Sequence, residues 1–135
     1  MSVLAWNHAC VVGVQAMDDQ HGILMDTLNE LRTQLAQGTD KRKMYEHLSR
    51  LVEFTGLHFD CEERLLERHG FPGLQQHRAD HRQMLQSIRD AVARAEHGEN
   101  DDMHRALGHL KRCFSAHVEG PDKHYGDWLN ARGIY

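Results

Sequence analysis

Proline is nearly absent: Pro72 and Pro121 are the only two in 135 residues. Little therefore stands in the way of long helices. Cysteine is scarce as well. Cys10, Cys61 and Cys113 are odd in number and form no CxxC pair, which argues against a disulfide framework or a zinc ribbon and fits reduced thiols in the cytoplasm. No Lys or Arg precedes Arg32, so the basic region of a signal peptide is missing. The early apolar run around residues 11–14 is far too short to span a membrane. Basic charge is not in excess either. A formal net charge of −4 argues against a nucleic-acid binder.

What the chain has in quantity is histidine, 12 in all. The stretch from His58 to His81 holds two pairs of polar residues at i, i+4 spacing, His58 with Glu62 and His77 with His81. On helices each pair projects from one face, one turn apart. Between them, residues 69–73 (HGFPG) read as a helix stop followed by a helix start.

The whole chain reads as four helical segments and a short tail. After an arm over residues 1–16, a first helix is expected from Met17-Asp18-Asp19-Gln20 to about Gln37, with His21, Leu24, Leu28, Leu31 and Leu35 on one seam. A second starts after Thr39 or Asp40, its seam running Met44, Leu48, Leu51, Thr55, His58, Glu62, Leu65, His69. A third begins near Pro72 and carries Leu74, His77, His81, Met84, Ile88, Val92 and Ala95. The fourth starts after Asn100-Asp101-Asp102, with Met103, Leu107, Leu110, Phe114 and His117, and Pro121 is expected to break it. A short amphipathic tail from about Asp122 to Arg132 can dock Tyr125, Trp128 and Leu129. The expected fold is all-α: an up-down-up-down four-helix bundle over about 17–120, in a single domain of 1–135, with a C-terminal tail over 121–135.

The seams put His21, His58, Glu62, His77, His81 and His117 where leucines belong. Buried without partners, such groups would cost several kcal/mol, on the order of that for any unpaired polar burial. Together they point to a metal site. Asp122 has two readings, a cap of the tail helix, which spacing alone favours, and a second carboxylate turned inward across Pro121. With it, the ligands are too many for one ion. Two six-coordinate ions are nearly filled by five imidazoles, two bridging carboxylates and one solvent-derived bridge, which leaves one position for a small ligand. Nitrogen and oxygen ligation without thiolate suits iron or manganese, with zinc also compatible.

The residues HFDCEE at 58–63, HxxxH at His77 and His81, HxxxxD from His117 to Asp122, and His21 after DDQ resemble the hemerythrins, in particular the single-domain bacterial ones. The resemblance covers nearly the whole chain. It implies an oxo- or hydroxo-bridged di-iron centre with His77, His81 and His117 on one iron, His21 and His58 on the other, and Glu62 and Asp122 bridging. It further implies reversible dioxygen binding, as carrier or store, with dioxygen end-on as hydroperoxide at the two-histidine iron. Trp6, Phe59, Phe114 and Tyr125 match the residues that line the pocket in that family. Cys113 departs from it, because well-known members carry a Trp there. A non-enzymatic monomer is expected, with an oxygen-consuming enzyme as recipient. Rival readings are an oxygen or redox sensor, an oxidase with peroxide or nitric oxide chemistry, and iron handling. No Glu has His at i+3, so the Glu-x-x-His pairs of ferritin-like di-iron proteins are missing.

Other residues are expected to be bland. His69 and His97 suit helix C-termini, and His8, His47, His104, His109 and His124 suit the surface. Cys61 and Cys113 read as small core residues, Lys41-Arg42-Lys43 as a solvated turn, and Glu63 as pointing away from the metals into an outer pair.

Overall fold

The computed structural model describes residues 12–98 and 100–135. Trp6, His8, Cys10 and most of the expected arm lie outside them. Among the described residues five α-helices follow in order: α1 (Gln15–Ala36), α2 (Lys41–Arg68), α3 (Leu74–His97), α4 (Asn100–His117) and α5 (Lys123–Asn130). No strand occurs among the described residues. Short connections force neighbours antiparallel. Helix α1 packs on α2, α2 on α3 and α3 on α4, and contact of α1 with α4 closes a four-helix bundle. No helix among the described residues is long and apolar enough to cross a membrane.

The leucine seams form the core. Leu28, Met44, Leu48, Ile88, Leu107 and Leu110 are fully buried in one large apolar cluster drawn from all four helices. A smaller cluster joins Met17, Leu66, Phe71, Val118, Tyr125 and Leu129 at the end where α5 docks. Along each helix the polar seam residues fall between the two clusters. On α1, for example, Met17 belongs to one, His21 is polar, and Leu24 belongs to the other.

Helix ends differ from expectation in ways that have local causes. Helix α1 starts at Gln15 because the Asp18 carboxylate reaches back and accepts from the Val12 and Gly13 N–H groups at 2.8 and 3.3 Å. Helix α4 starts at Asn100, so Asp101 and Asp102 fill its first turn rather than precede it. Pro72 sits in the turn before α3, not in the helix. That turn depends on Gly70, whose φ of +69° lets Phe71 N–H bond Leu66 O at 2.9 Å and end α2 in a Schellman motif. The α2 seam also departs from the expected register at its end. Leu66 is fully buried, whereas Leu65 and His69 are only half-buried.

Pro121 does not break the fourth helix. Residues Val118–Asp122 form one π-helical turn that leads directly into α5, and Lys123 N–H reaches Val118 O five residues back. Proline has no N–H to give, and its ring crowds the carbonyl four residues earlier. A turn one residue wider relieves both problems.

Helix α5 lies so close to the entering chain that a Cβ on Gly126 would collide with the Val12 carbonyl. Gly126→Ala is therefore expected to destabilise the fold by about 1–3 kcal/mol, read from urea unfolding. The nearby Gly120→Ala, at a position with nothing within 4 Å of an added Cβ, is expected to cost less than half as much.

Candidate metal centre

His21 of α1, His58 and Glu62 of α2, His77 and His81 of α3, His117 of α4 and Asp122 of the π-turn are all buried, each less than a tenth exposed. The helical steps explain why six of them meet, because each lies on its helix's inward seam. Asp122 meets them because of the π-turn. In a regular α-helix a residue five places on from His117 would lie about 140° round the axis. The wide turn brings it back, and Asp122 Oδ1 stands 3.0 Å from His117 Nε2.

The carboxylates sit between two sets of imidazoles. Glu62 Oε2 is 3.1 Å from Nε2 of both His21 and His58. Its other oxygen, Oε1, is 2.9 Å from His77 Nε2 and 3.0 Å from His81 Nε2. Asp122 behaves the same way: Oδ1 lies 3.0 Å from Nε2 of His77 and of His117, and Oδ2 lies 3.2 Å from His21 Nε2. The ligand-type atoms thus form two groups, Glu62, His77, His81, His117, Asp122 and His21, His58, Glu62, Asp122, which share both carboxylates.

Hydrogen bonding alone does not account for this packing. His81 Nε2, His117 Nε2 and both Asp122 oxygens have no aligned hydrogen-bond partner among the described residues, although each lies within about 3 Å of an opposite polar atom. Atoms that aim past one another at a common point are what ligands do. Adjacent ligands on an octahedral ion with bonds of about 2.1 Å stand about 3.0 Å apart. The residues fit two cations.

Charge tells the same story. Burial pushes the His21 and His77 imidazoles down, but contact with Asp122 and Glu62 outweighs it and lifts both from 6.5 to about 9. Burial raises Glu62, and four imidazoles overcome it and hold the carboxyl well below the ordinary range. Asp122 is raised by burial and by Glu62, yet His117, His21 and His77 bring it below its usual value. Without metal, two buried anions are balanced by protons on two imidazoles. That positive charge is what cations would replace.

Surrounding groups fix the rings. His58 Nδ1 donates to Gln20 Oε1 at 2.6 Å and His81 Nδ1 to Glu63 Oε2 at 2.8 Å, which leaves each Nε2 facing the centre. Phe59 stacks flat on His81, with centroids 3.9 Å apart and planes 5° apart. Tyr125, fully buried, donates its hydroxyl to Glu62 Oε2 at 3.0 Å. Burial, then the charges of Glu62 and Asp122, push that phenol well above 10, so it remains a donor. Tyr125→Phe is expected to lower metal-free stability by about 1.5–3 kcal/mol, measured by urea unfolding, with metal stoichiometry unchanged because the phenol is not a ligand.

A cavity of about 10 Å³, room for one water-sized molecule, touches His21, His58, His117 and Asp122. Its walls include Phe59 and Phe114, as the resemblance implies, the seam residues Leu24 and Met84, and also Met25 and Val118, which lie on none of the expected seams. Tyr125 is not part of those walls, and Trp6 lies outside the described residues.

Other residues also fall differently from expectation. Cys61 is exposed rather than a core residue, and Cys113 is half-buried. His109 is half-buried, with Nε2 2.7 Å from Ser87 Oγ. Seam reading misses Gln20, whose only signal is its place beside His21 on α1.

The family model "Hemerythrin HHE cation binding domain" matches residues 12–129. A bacteriohemerythrin of Stenotrophomonas maltophilia (strain R551-3) is 29% identical over 133 residues, covering 97% of this chain and 84% of its own. One from Methylococcus capsulatus (strain ATCC 33009 / NCIMB 11132 / Bath) is 25% identical over 132 residues, covering 97% and 100%. A crystal structure of wild-type hemerythrin superposes with a TM-score of 0.81 at 24% identity, covering 93% of this chain and 97% of that one. With the family model spanning nearly all of the described residues, the chain belongs to the hemerythrin family.

Proposed function

We propose that this chain binds dioxygen reversibly at a non-heme di-iron centre and acts as an oxygen carrier or store rather than an enzyme. The observation that carries this reading is the placement of Glu62 and Asp122, each with one oxygen toward each of two imidazole groups. His77, His81 and His117 would hold one iron, His21 and His58 the other, and Glu62 and Asp122 would be shared between them. When bound, the iron pair would supply the two electrons that dioxygen binding needs.

The protein supplies the rest. The largely apolar cavity, which touches His21 and His58 and also His117 and Asp122, has room for a small neutral molecule beside the centre. Phe59 and Phe114 keep bulk water and acids from that cavity, which protects the bound ligand from premature release in reduced form. Tyr125 holds Glu62 in its bridging orientation. Five imidazoles against two carboxylates favour binding over the oxidations that carboxylate-rich sites carry out. The domain spans the whole chain, and free Cys61 and Cys113 suit a reducing cytoplasm. The relatives named bacteriohemerythrin support the same reading.

An oxygen electrode tests it. The anaerobic ferrous protein should take up about one dioxygen per iron pair and return it when the gas pressure is lowered. Uptake without return, with oxidised iron left behind, would replace this reading by an oxidase or iron-handling role.

A further inference from the structure

The two imidazole groups are backed unequally. Behind His81 stands a carboxylate: Nδ1 donates to Glu63 Oε2 at 2.8 Å. Glu63 is itself held by Arg78, whose Nε lies 3.3 Å from Glu63 Oε1 and whose Nη2 reaches Glu67 at 3.1 Å. Phe59 stacked on the ring completes the clamp. Behind His58 stands a neutral amide, Gln20 Oε1, at 2.6 Å. In both cases the outer partner accepts from Nδ1 and so directs Nε2 inward. They differ in charge. A carboxylate behind an imidazole makes it a stronger donor to a metal than an amide does, because it draws the Nδ1 proton away and leaves more electron density at Nε2. Arg78 offsets part of the Glu63 charge but leaves the carboxylate oxygen facing His81. The acceptor on the His58 ring, by contrast, carries no net charge.

We propose that Glu63 is a positioning residue that makes the position of His77, His81 and His117 the tighter of the two and favours its oxidised state, with Gln20 as the neutral counterpart at the position of His21 and His58. This rests on the two-iron reading given above. Outer partners, and not only the count of histidines, then make two chemically similar positions inequivalent.

The test uses the full chain loaded anaerobically with ferrous iron, in wild-type, Glu63→Gln and Gln20→Glu forms. Two quantities are read: the time course of iron release to an excess of chelator, and the reduction potential by spectroelectrochemistry. For Glu63→Gln, one of the two irons should leave about 10–100-fold faster while the other keeps its wild-type rate, and the potential should rise. Gln20→Glu should slow release of the other iron and lower the potential. Wild-type release and potential in Glu63→Gln would overturn the proposal and leave Glu63 as a surface partner of Arg78. Equal loosening of both irons, accompanied by a lower melting temperature of the metal-free variant, would also overturn it by showing a general structural role. A wild-type chain that takes up fewer than two irons would remove the two-iron reading itself, and this is visible before any variant is compared.

Discussion

Glu62→Ala is expected to leave a chain that holds neither metal ion. Glu62 is the residue that both ligand groups share from within a helix, with one oxygen directed to His21 and His58 and the other to His77 and His81. Its removal takes a ligand from each position at once. His58→Ala should behave differently, because His58 belongs to one group alone. That variant should keep one tightly held ion. Metal analysis after gel filtration checks both outcomes, near zero per chain for Glu62→Ala and near one for His58→Ala. The metal-free fold should suffer as well. Without Glu62 the protonated His21 and His77 keep only Asp122 as a buried anion, and Tyr125 loses its acceptor. Breaking buried ion pairs by deleting one partner costs about 3–5 kcal/mol. Retention of two ions by Glu62→Ala would show that the carboxylate is not a ligand.

The second large effect is a divergence between metal-free and metal-loaded protein as pH rises. In the metal-free state His21 and His77 are lifted from 6.5 to about 9. A raised imidazole contributes stability that is complete below 6.5 and disappears as pH climbs through 9. Glu62 and Asp122 are depressed below 4.5 and 3.8, so their contribution is complete above those values and is lost on acidification. The metal-free protein should therefore be most stable between about pH 4.5 and 6.5 and should lose on the order of a few kcal/mol by pH 9. The loaded protein should move the other way over that interval, because protons compete with metal for the same nitrogens. Metal uptake near pH 8 should accordingly release about two protons from His21 and His77, in addition to those lost by a bridging solvent, which a pH-indicator titration counts. Parallel stability curves for the two forms would mean that the imidazole protons and the metal do not share sites.

Most of the centre is legible in the order of residues along the chain. The steps of three and four along each helix locate His21, His58, Glu62, His77, His81 and His117 as well as Leu28 or Leu110, since a seam position is inward whatever residue occupies it. Asp122 is a different case. Spacing across a proline favours a broken helix with Asp122 as a cap, and only a π-turn carries the carboxylate inward, a distinction that depends on one extra residue per turn. The late α2 seam fails for a similar reason. Beyond Glu62 the face is set by the docking of Tyr125 and Leu129 from α5, and this selects Leu66 over Leu65. Gln20, Glu63 and the hydroxyl of Tyr125 act at the site through contacts between helices, at sequence separations of 38, 18 and 63 residues. No helical period marks such pairs. The exposure of Cys61 follows from its place beside, rather than on, the His58–Glu62 seam, so its small apolar character says little about its position.

Seven side chains, on this reading, hold two ions side by side and share Glu62 and Asp122 between them. Iron analysis combined with X-ray absorption of the reconstituted protein tests that arrangement most directly. Two irons per chain are expected, with six-coordinate nitrogen and oxygen shells rich in imidazole and an iron neighbour within about 4 Å of each iron. One iron per chain, or two without iron-to-iron scattering, would contradict it.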